Sequence, residues 1–254
     1  MDMKAAWDAI SAYLSQESLH EADCTLYGPW APPESELQLL GETRGRTILE
    51  VGCGAGQCSI ALARQGAHVT GLDLSARQLA AARVAAATAG VQVDWVEGSV
   101  EELARSGQMP FDLVIASYVL PYVADLPRAF SAMTAVLKPR GRLIYALDHP
   151  LRTCFFDEVD EELVSYPSRS YFATRPFRWS YPGPEIRLAS QHRTIAQWLD
   201  LGHEAGLRLV RLVEPEPPHA LLDDLWPEDD PRAPLRNLPQ AIIFVMEKPP
   251  ADAG

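Results

Sequence analysis

Between residues 47 and 147, short apolar runs alternate with stretches of helical spacing, and this rhythm restricts the chain more than any other feature. Residues 47–51 (Thr-Ile-Leu-Glu-Val) read as a strand, followed by a glycine turn and a helical run at 59–65. Residues 68–73 give a second strand, after which Ser75 and Gln78 make an S-x-x-Q capping signature that opens a helix of about fifteen residues. Strands at 91–96, 112–116 and 142–147, with a helix at 126–137, continue the series. Strands separated by single helices are βαβ units, which demand a parallel sheet with helices on both faces. The rhythm breaks at 150–190 and resumes at Thr194, whose spacing to Gln197 repeats the capping signature for a helix ending at Gly206. Two last strands, 207–213 and 241–246, are joined by a proline- and acid-rich connection expected to be a surface loop. A helical spacing over 5–19 precedes all of this, followed by the turn-forming run 27–33.

Composition narrows the partners. Twenty-two basic against 34 acidic side chains leave a net charge of −12, which repels phosphate backbones and anionic lipid. Nucleic-acid and membrane partners are therefore not expected. Four cysteines (Cys24, Cys53, Cys58, Cys154) form no CxxC pair and no Cys/His ligand set, so reduced thiols and no metal are expected. The first residues carry no signal-peptide pattern, and no apolar run approaches the ~20 residues that span a bilayer. A single domain in the cytoplasm is the expectation; the oligomeric state is left open.

The glycine turn carries the chemistry. Glu50-Val51-Gly52-Cys53-Gly54-Ala55-Gly56 joins the first strand to the first helix, where glycines let backbone approach a ligand. A dinucleotide fingerprint needs its third glycine at position 57, which is Gln; the spacing is GxGxG, and this argues against NAD or FAD. Asp73 ends the second strand, where a carboxylate accepts both hydroxyls of a ribose. Together with Glu97-Gly98-Ser99-Val100 after the third strand and Phe111-Asp112-Leu113-Val114-Ile115-Ala116-Ser117, these motifs resemble the class I S-adenosylmethionine-dependent methyltransferases. Tyr27-Gly28-Pro29, His149-Pro150, His192-Arg193-Thr194 and Glu214-Pro215-Glu216-Pro217 resemble the bacterial small-molecule members of that group.

The resemblance implies an α/β, Rossmann-like seven-stranded methyltransferase sheet, mostly parallel with an antiparallel last strand, and an aromatic-rich insert after strand five. It divides the single domain into a helical cap (1–44), a cofactor-binding core (45–148), a substrate-lid insert (150–190) and a C-terminal helix and hairpin (191–248). It implies S-adenosyl-L-methionine as cofactor, S-adenosyl-L-homocysteine as product, and methyl transfer to O, N or S of a small organic molecule. Tyr27, Glu50, Gly52, Gly54, Gly56, Asp73, Leu74, Gln78, Ser99, Val100, Ala116 and Ser117 are the implied cofactor-binding residues. Ser99 stands where an aspartate is common, leaving Glu97 or Glu101 to meet the adenine amine. The alternatives are a non-methylating S-adenosylmethionine binder such as a cyclase, or an RNA or protein methyltransferase.

Two histidines have context. His149 ends the fifth strand on the carboxyl edge of the sheet, where it would take a proton from an acceptor hydroxyl or simply bond the neighbouring loop. His192 opens a helix and is the second catalytic candidate, with packing against the insert as the other reading. Eight of the chain's 21 aromatics fall between Phe155 and Tyr181, a density that suits either a satellite core or a lid. Phe155, Tyr171, Phe172 and Trp179 are the substrate-contact candidates. The acidic run 157–162 reads as a solvated face, and Cys53 and Cys58 as packing residues.

Overall fold

A computed structural model describes residues 3–14, 26–105, 110–181 and 186–250. His20, Cys24 and the end of the helical stretch expected over 5–19 lie outside the described residues. The strands are β1 (Thr47–Val51), β2 (His68–Asp73), β3 (Asp94–Glu97), β4 (Phe111–Ser117), β5 (Leu137–Asp148), β6 (Phe156–Asp157), β7 (Glu162–Leu163), β8 (Phe177–Tyr181), β9 (Ile186–Ser190), β10 (Arg208–Val213) and β11 (Ala241–Glu247). The helices are α1 (Met3–Leu14), α2 (Glu34–Leu37), α3 (Gln57–Arg64), α4 (Ala76–Ala89), α5 (Leu126–Ala135), α6 (Ile195–Glu204) and α7 (His219–Leu225).

Seven strands form one sheet in the order β10-β11-β5-β4-β1-β2-β3. β1 to β5 are mutually parallel, and β11 enters antiparallel between β5 and β10. The continuous apolar character of β1, β4 and β11 is what burial on both faces requires. One core packs α5 and α6 onto the sheet through Phe130, Met133, Trp198 and Leu201. On the other face Tyr27, Leu39, Leu40 and Leu62 cover Ile48, Ile115, Ile144 and Ile243. Because β1 connects to β2 on one side and has β4 on the other, the strand order reverses there. A crevice therefore opens at the carboxyl ends of β1 and β4.

Several elements depart from the sequence reading. β5 begins at Leu137, inside the expected helix, because Leu137 already pairs with Phe111 across the sheet. The connection between β10 and β11 is no plain surface loop. It holds α7 and a 3₁₀ turn at Ala233–Asn237 whose Leu222, Trp226 and Leu235 pack on Trp30. The insert is organised as two hairpins, β6/β7 and β8/β9. Its acidic run is not a solvated face throughout. Glu158 meets Arg169 and Arg175, and Glu161 meets Arg187. Cys58 packs against the core as expected but is disulfide-bonded rather than reduced, whereas Cys53 and Cys154 are free and buried. Among the described residues no helix is long and apolar enough to cross a membrane, and no group of His, Cys, Asp and Glu is placed to hold a metal.

Candidate active site

At the carboxyl ends of β1, β2 and β4 lies a cleft of about 300 Å³. Gly52, Gly54, Asp73, Leu74, Gln78, Ser99, Val100 and Ser117, all singled out in the sequence, line it. Asp73 is held in place from both sides: Gly54 N–H donates to Oδ2 at 2.9 Å and Ser75 N–H to Oδ1 at 2.8 Å. A carboxylate has about four acceptor positions, so two remain for a ligand's paired hydroxyls. Burial raises the Asp73 pKa, while the Ser75 and Gly54 amides favour the ionised form. Gly54 has φ of +54°, and a Cβ built there meets only Gln78 Oε1 at 4.0 Å. Its open side is a cradle that a ligand can enter. Ser75 caps α4 through Gln78 N–H, and the Gln78 side chain faces the cleft.

Four of the implied cofactor residues do not line the cleft. Tyr27 is buried in the core, its hydroxyl 2.5 Å from a Glu34 oxygen. Ala116 is fully buried in the sheet, because alternation along β4 aims it into the core. Gly56 faces the Trp95 ring, which fills the space a Cβ would need. Glu50 is buried beneath the turn and accepts a hydrogen bond from Ser59; burial pushes its carboxyl up to about 7. Of the two adenine candidates, Glu101 lines the cleft, whereas Glu97 is paired with Lys4 at 2.6 Å.

Residues the sequence did not single out complete the cleft. Met3 and Trp7 of α1 cover it, and Tyr118, Val119, Tyr122, Val123 and Ala124 form its inner wall. Tyr118 has φ of +56°, rare for a bulky side chain, and its ring lies where a Cβ of Gly28 would stand. The Tyr27-Gly28-Pro29 run therefore matters through its glycine. Tyr118 and Tyr122 also line a neck of about 30 Å³ with Asp148, Thr153, Ser190 and His192. Gln191, His192 and Arg193 also border an open groove of about 510 Å³ with Thr174, Pro176, Gln197, Asp200, Glu204 and Ala124, the last of which lines the cleft as well.

Both histidines make the contacts of their second, non-catalytic readings. His149 Nδ1 accepts from Leu151 N–H at 3.1 Å, so Nε2 carries the proton and donates to Glu214 at 2.7 Å. The ring borders none of these cavities and ties the end of β5 to the loop after β10. Both ring nitrogens are engaged in these contacts, and burial lowers the His149 pKa against the pull of Glu214. His192 borders the neck, but Nε2 donates to the Tyr171 carbonyl at 2.8 Å and Nδ1 meets Thr153 Oγ1 at 2.7 Å. Burial lowers its pKa too, favouring a neutral ring with both nitrogens engaged.

The four aromatic candidates of the insert line none of these three cavities. Phe155 packs beside Trp226, and Phe172 is 78% exposed. The Tyr171 hydroxyl accepts from Ile195 N–H at 3.0 Å. Trp179 backs Tyr122 and donates to Ser190 Oγ, so it supports the neck from behind. Phe177, which the sequence did not favour, is the insert aromatic that reaches the neck.

Comparison with known proteins agrees with this geometry. Residues 48–141 match the family model described as a methyltransferase domain. The ubiquinone biosynthesis O-methyltransferase of Xylella fastidiosa (strain 9a5c) is 35% identical over 154 residues, covering 56% of this chain. The match spans 63% of that relative's length, less than two thirds. In fold, the chain is similar to an S-adenosylmethionine dependent methyltransferase from Mesorhizobium loti, with a TM-score of 0.68, 24% identity and coverage of 84% of this chain and 95% of that one. It is also similar to the [4+2]-cyclase SpnF, with a TM-score of 0.65, 17% identity and coverage of 98% and 96%. The glycine turn, the acid that ends β2 and the reversal of strand order lie within or beside the matched region, and residues 48–141 are similar to a methyltransferase domain.

Proposed function

We propose that this protein transfers the methyl group of S-adenosylmethionine to an oxygen of a small organic molecule, releasing S-adenosylhomocysteine. The observation that carries the reading is the Asp73 carboxylate, fixed by two backbone N–H groups at the edge of a cleft with the volume for a nucleoside. Asp73 would accept the ribose hydroxyls, Gly52 and Gly54 would give the backbone approach, and Leu74, Ser99 and Val100 would enclose the base. The cofactor supplies an electrophilic methyl group on a sulfonium. The chain's own work is alignment, exclusion of water and management of the acceptor's proton. The small size of the cavity that shares Tyr118 and Tyr122 with the cleft supports a small acceptor rather than a macromolecule. Oxygen is favoured by the relatives, which are named O-methyltransferases.

Calorimetry with S-adenosylmethionine and S-adenosylhomocysteine, followed by label transfer from methyl-tritiated donor to a panel of hydroxylated metabolites, tests the reading. Binding of both nucleosides and label in a small product are expected. Absence of binding, or label found only in RNA or protein, overturns it.

A further inference from the structure

The neck is lined by one carboxylate, that of Asp148. Asp148 is the last residue of β5, and its side chain, 32% exposed, faces the neck cavity. Its ion-pair partner is Arg152, at 3.3 Å on the turn that follows. Opposite it stands Tyr118, whose hydroxyl is buried without a hydrogen-bond partner, one of three such side-chain atoms among the described residues. An unpartnered buried hydroxyl costs free energy unless a ligand completes it. Tyr122 is the other phenol near Asp148, and it lies beside Trp179, which donates to Ser190 Oγ. Arg193 and His192 approach from the start of α6, and Thr153 from the turn after β5. A cavity of about 30 Å³ accommodates a hydroxyl group or a single water, not an aromatic ring. The cofactor cleft adjoins the neck through Tyr118 and Tyr122, and the outer groove adjoins it through Gln191, His192 and Arg193.

We infer that the neck is the acceptor hydroxyl's subsite, with Asp148 as the residue that takes the acceptor's proton and Tyr118 as the donor that positions the acceptor oxygen. The inference rests on the methyl-transfer reading above. The acceptor body lies in the outer groove and presents one hydroxyl to the neck. As the acceptor oxygen forms its bond to the methyl carbon, the carbon–sulfur bond breaks and leaves its electron pair on sulfur. The hydroxyl proton passes to the Asp148 carboxylate, which returns it to solvent when the methyl ether departs. Charge balances: a sulfonium and a carboxylate become a thioether and a carboxylic acid. Burial raises the Asp148 pKa, which brings it nearer that of an acceptor proton, and Arg152 opposes the shift.

The test uses 4-nitrophenol, whose absorbance reports its ionisation, bound to the full-length protein saturated with S-adenosylhomocysteine. A carboxylate beside the phenol holds it protonated. The bound probe should therefore ionise at least one pH unit lower in Asp148→Asn than in wild type, while Asp148→Glu keeps the wild-type value. Tyr118→Phe, which keeps the ring and removes only the hydroxyl, should weaken probe binding about threefold to tenfold. An unchanged probe pKa in Asp148→Asn, or no binding of the probe by the loaded wild type, overturns the inference. Turnover forms the second arm. With phenols of graded acidity, Asp148→Asn should lower kcat by ~10²–10⁴, least for the most acidic phenol, with KM for the donor little altered. A uniform loss across the phenols marks a merely structural residue and also overturns the inference. If the probe pKa responds to Asp148 but wild type moves no label to any hydroxyl, the methyl-transfer reading fails and the subsite assignment stands.

Discussion

Asp73 joins two tasks in one carboxylate: it pins the glycine turn through Gly54 and the start of α4 through Ser75, and it faces the cleft. Replacing it with alanine removes charge-assisted acceptors, each about 1.5–3 kcal/mol. The expected outcome is a 10- to 150-fold loss of S-adenosylmethionine affinity by calorimetry, with some loss of stability from the orphaned amides. Glu50 makes a different prediction. Its folded pKa is raised from 4.5 to about 7, so the folded protein binds the extra proton between those values. Stability from this group is complete below pH 4.5 and declines as pH rises through 7. Relative to wild type, Glu50→Gln should gain stability as pH increases over that window, read as the melting temperature of the nucleoside-free protein. A variant that tracks wild type at every pH contradicts the assignment.

At the scale of elements, His149 links the end of β5 to the loop after β10 through Glu214. Its folded pKa is lowered, so the unfolded chain takes up the proton first as pH falls below about 6.5. The contribution is present above that value and is lost on acidification. His149→Gln should flatten the acid side of the stability profile and leave nucleoside affinity unchanged; unaltered acid sensitivity would count against the linkage. His149 also marks the limit of what the sequence could reveal. Its position at the sheet's ligand edge was legible from the strand pattern, because period and length place strand ends well. The direction its ring takes depends on Glu214, sixty-five residues away, which no local pattern encodes. The same holds for Tyr118. The glycine turn and Asp73 were legible because their function needs local backbone chemistry, whereas Tyr118 is held by the absence of a side chain at Gly28. The hairpins of the insert went unread because β8 alternates half-buried aromatics with exposed polar residues over only five residues.

The whole molecule is arranged so that the helix furthest from the sheet in sequence closes the site. α1 contributes Met3 and Trp7 to the cleft, and Lys4 Nζ donates to the Leu74 carbonyl at 2.8 Å and pairs with Glu97. Asp8 accepts from Ser75 Oγ at 2.5 Å, the residue that caps α4. On its other side, Ala6 and Ile10 pack with Leu188 of β9, beside Trp179 and Tyr122. The helix thus touches the Asp73 end of the cleft and the insert that backs the neck, and none of its described side chains belongs to the two large cores of the sheet. Its attachment is a small apolar cluster and polar contacts that are mostly exposed, each worth little alone. A ligand enclosed beneath it adds contacts that only the docked helix makes. Binding should therefore stabilise α1 more than the sheet, and hydrogen exchange over residues 3–14 should slow on adding S-adenosylhomocysteine, with strands β1 and β4 little changed. Trp7→Ala should raise the nucleoside Kd about tenfold and shrink the ligand-induced rise in melting temperature, while the ligand-free melting temperature falls by only a few degrees. Equal protection of α1 with and without ligand, together with wild-type affinity in Trp7→Ala, would show that the helix is a fixed part of the wall rather than one whose docking the ligand strengthens.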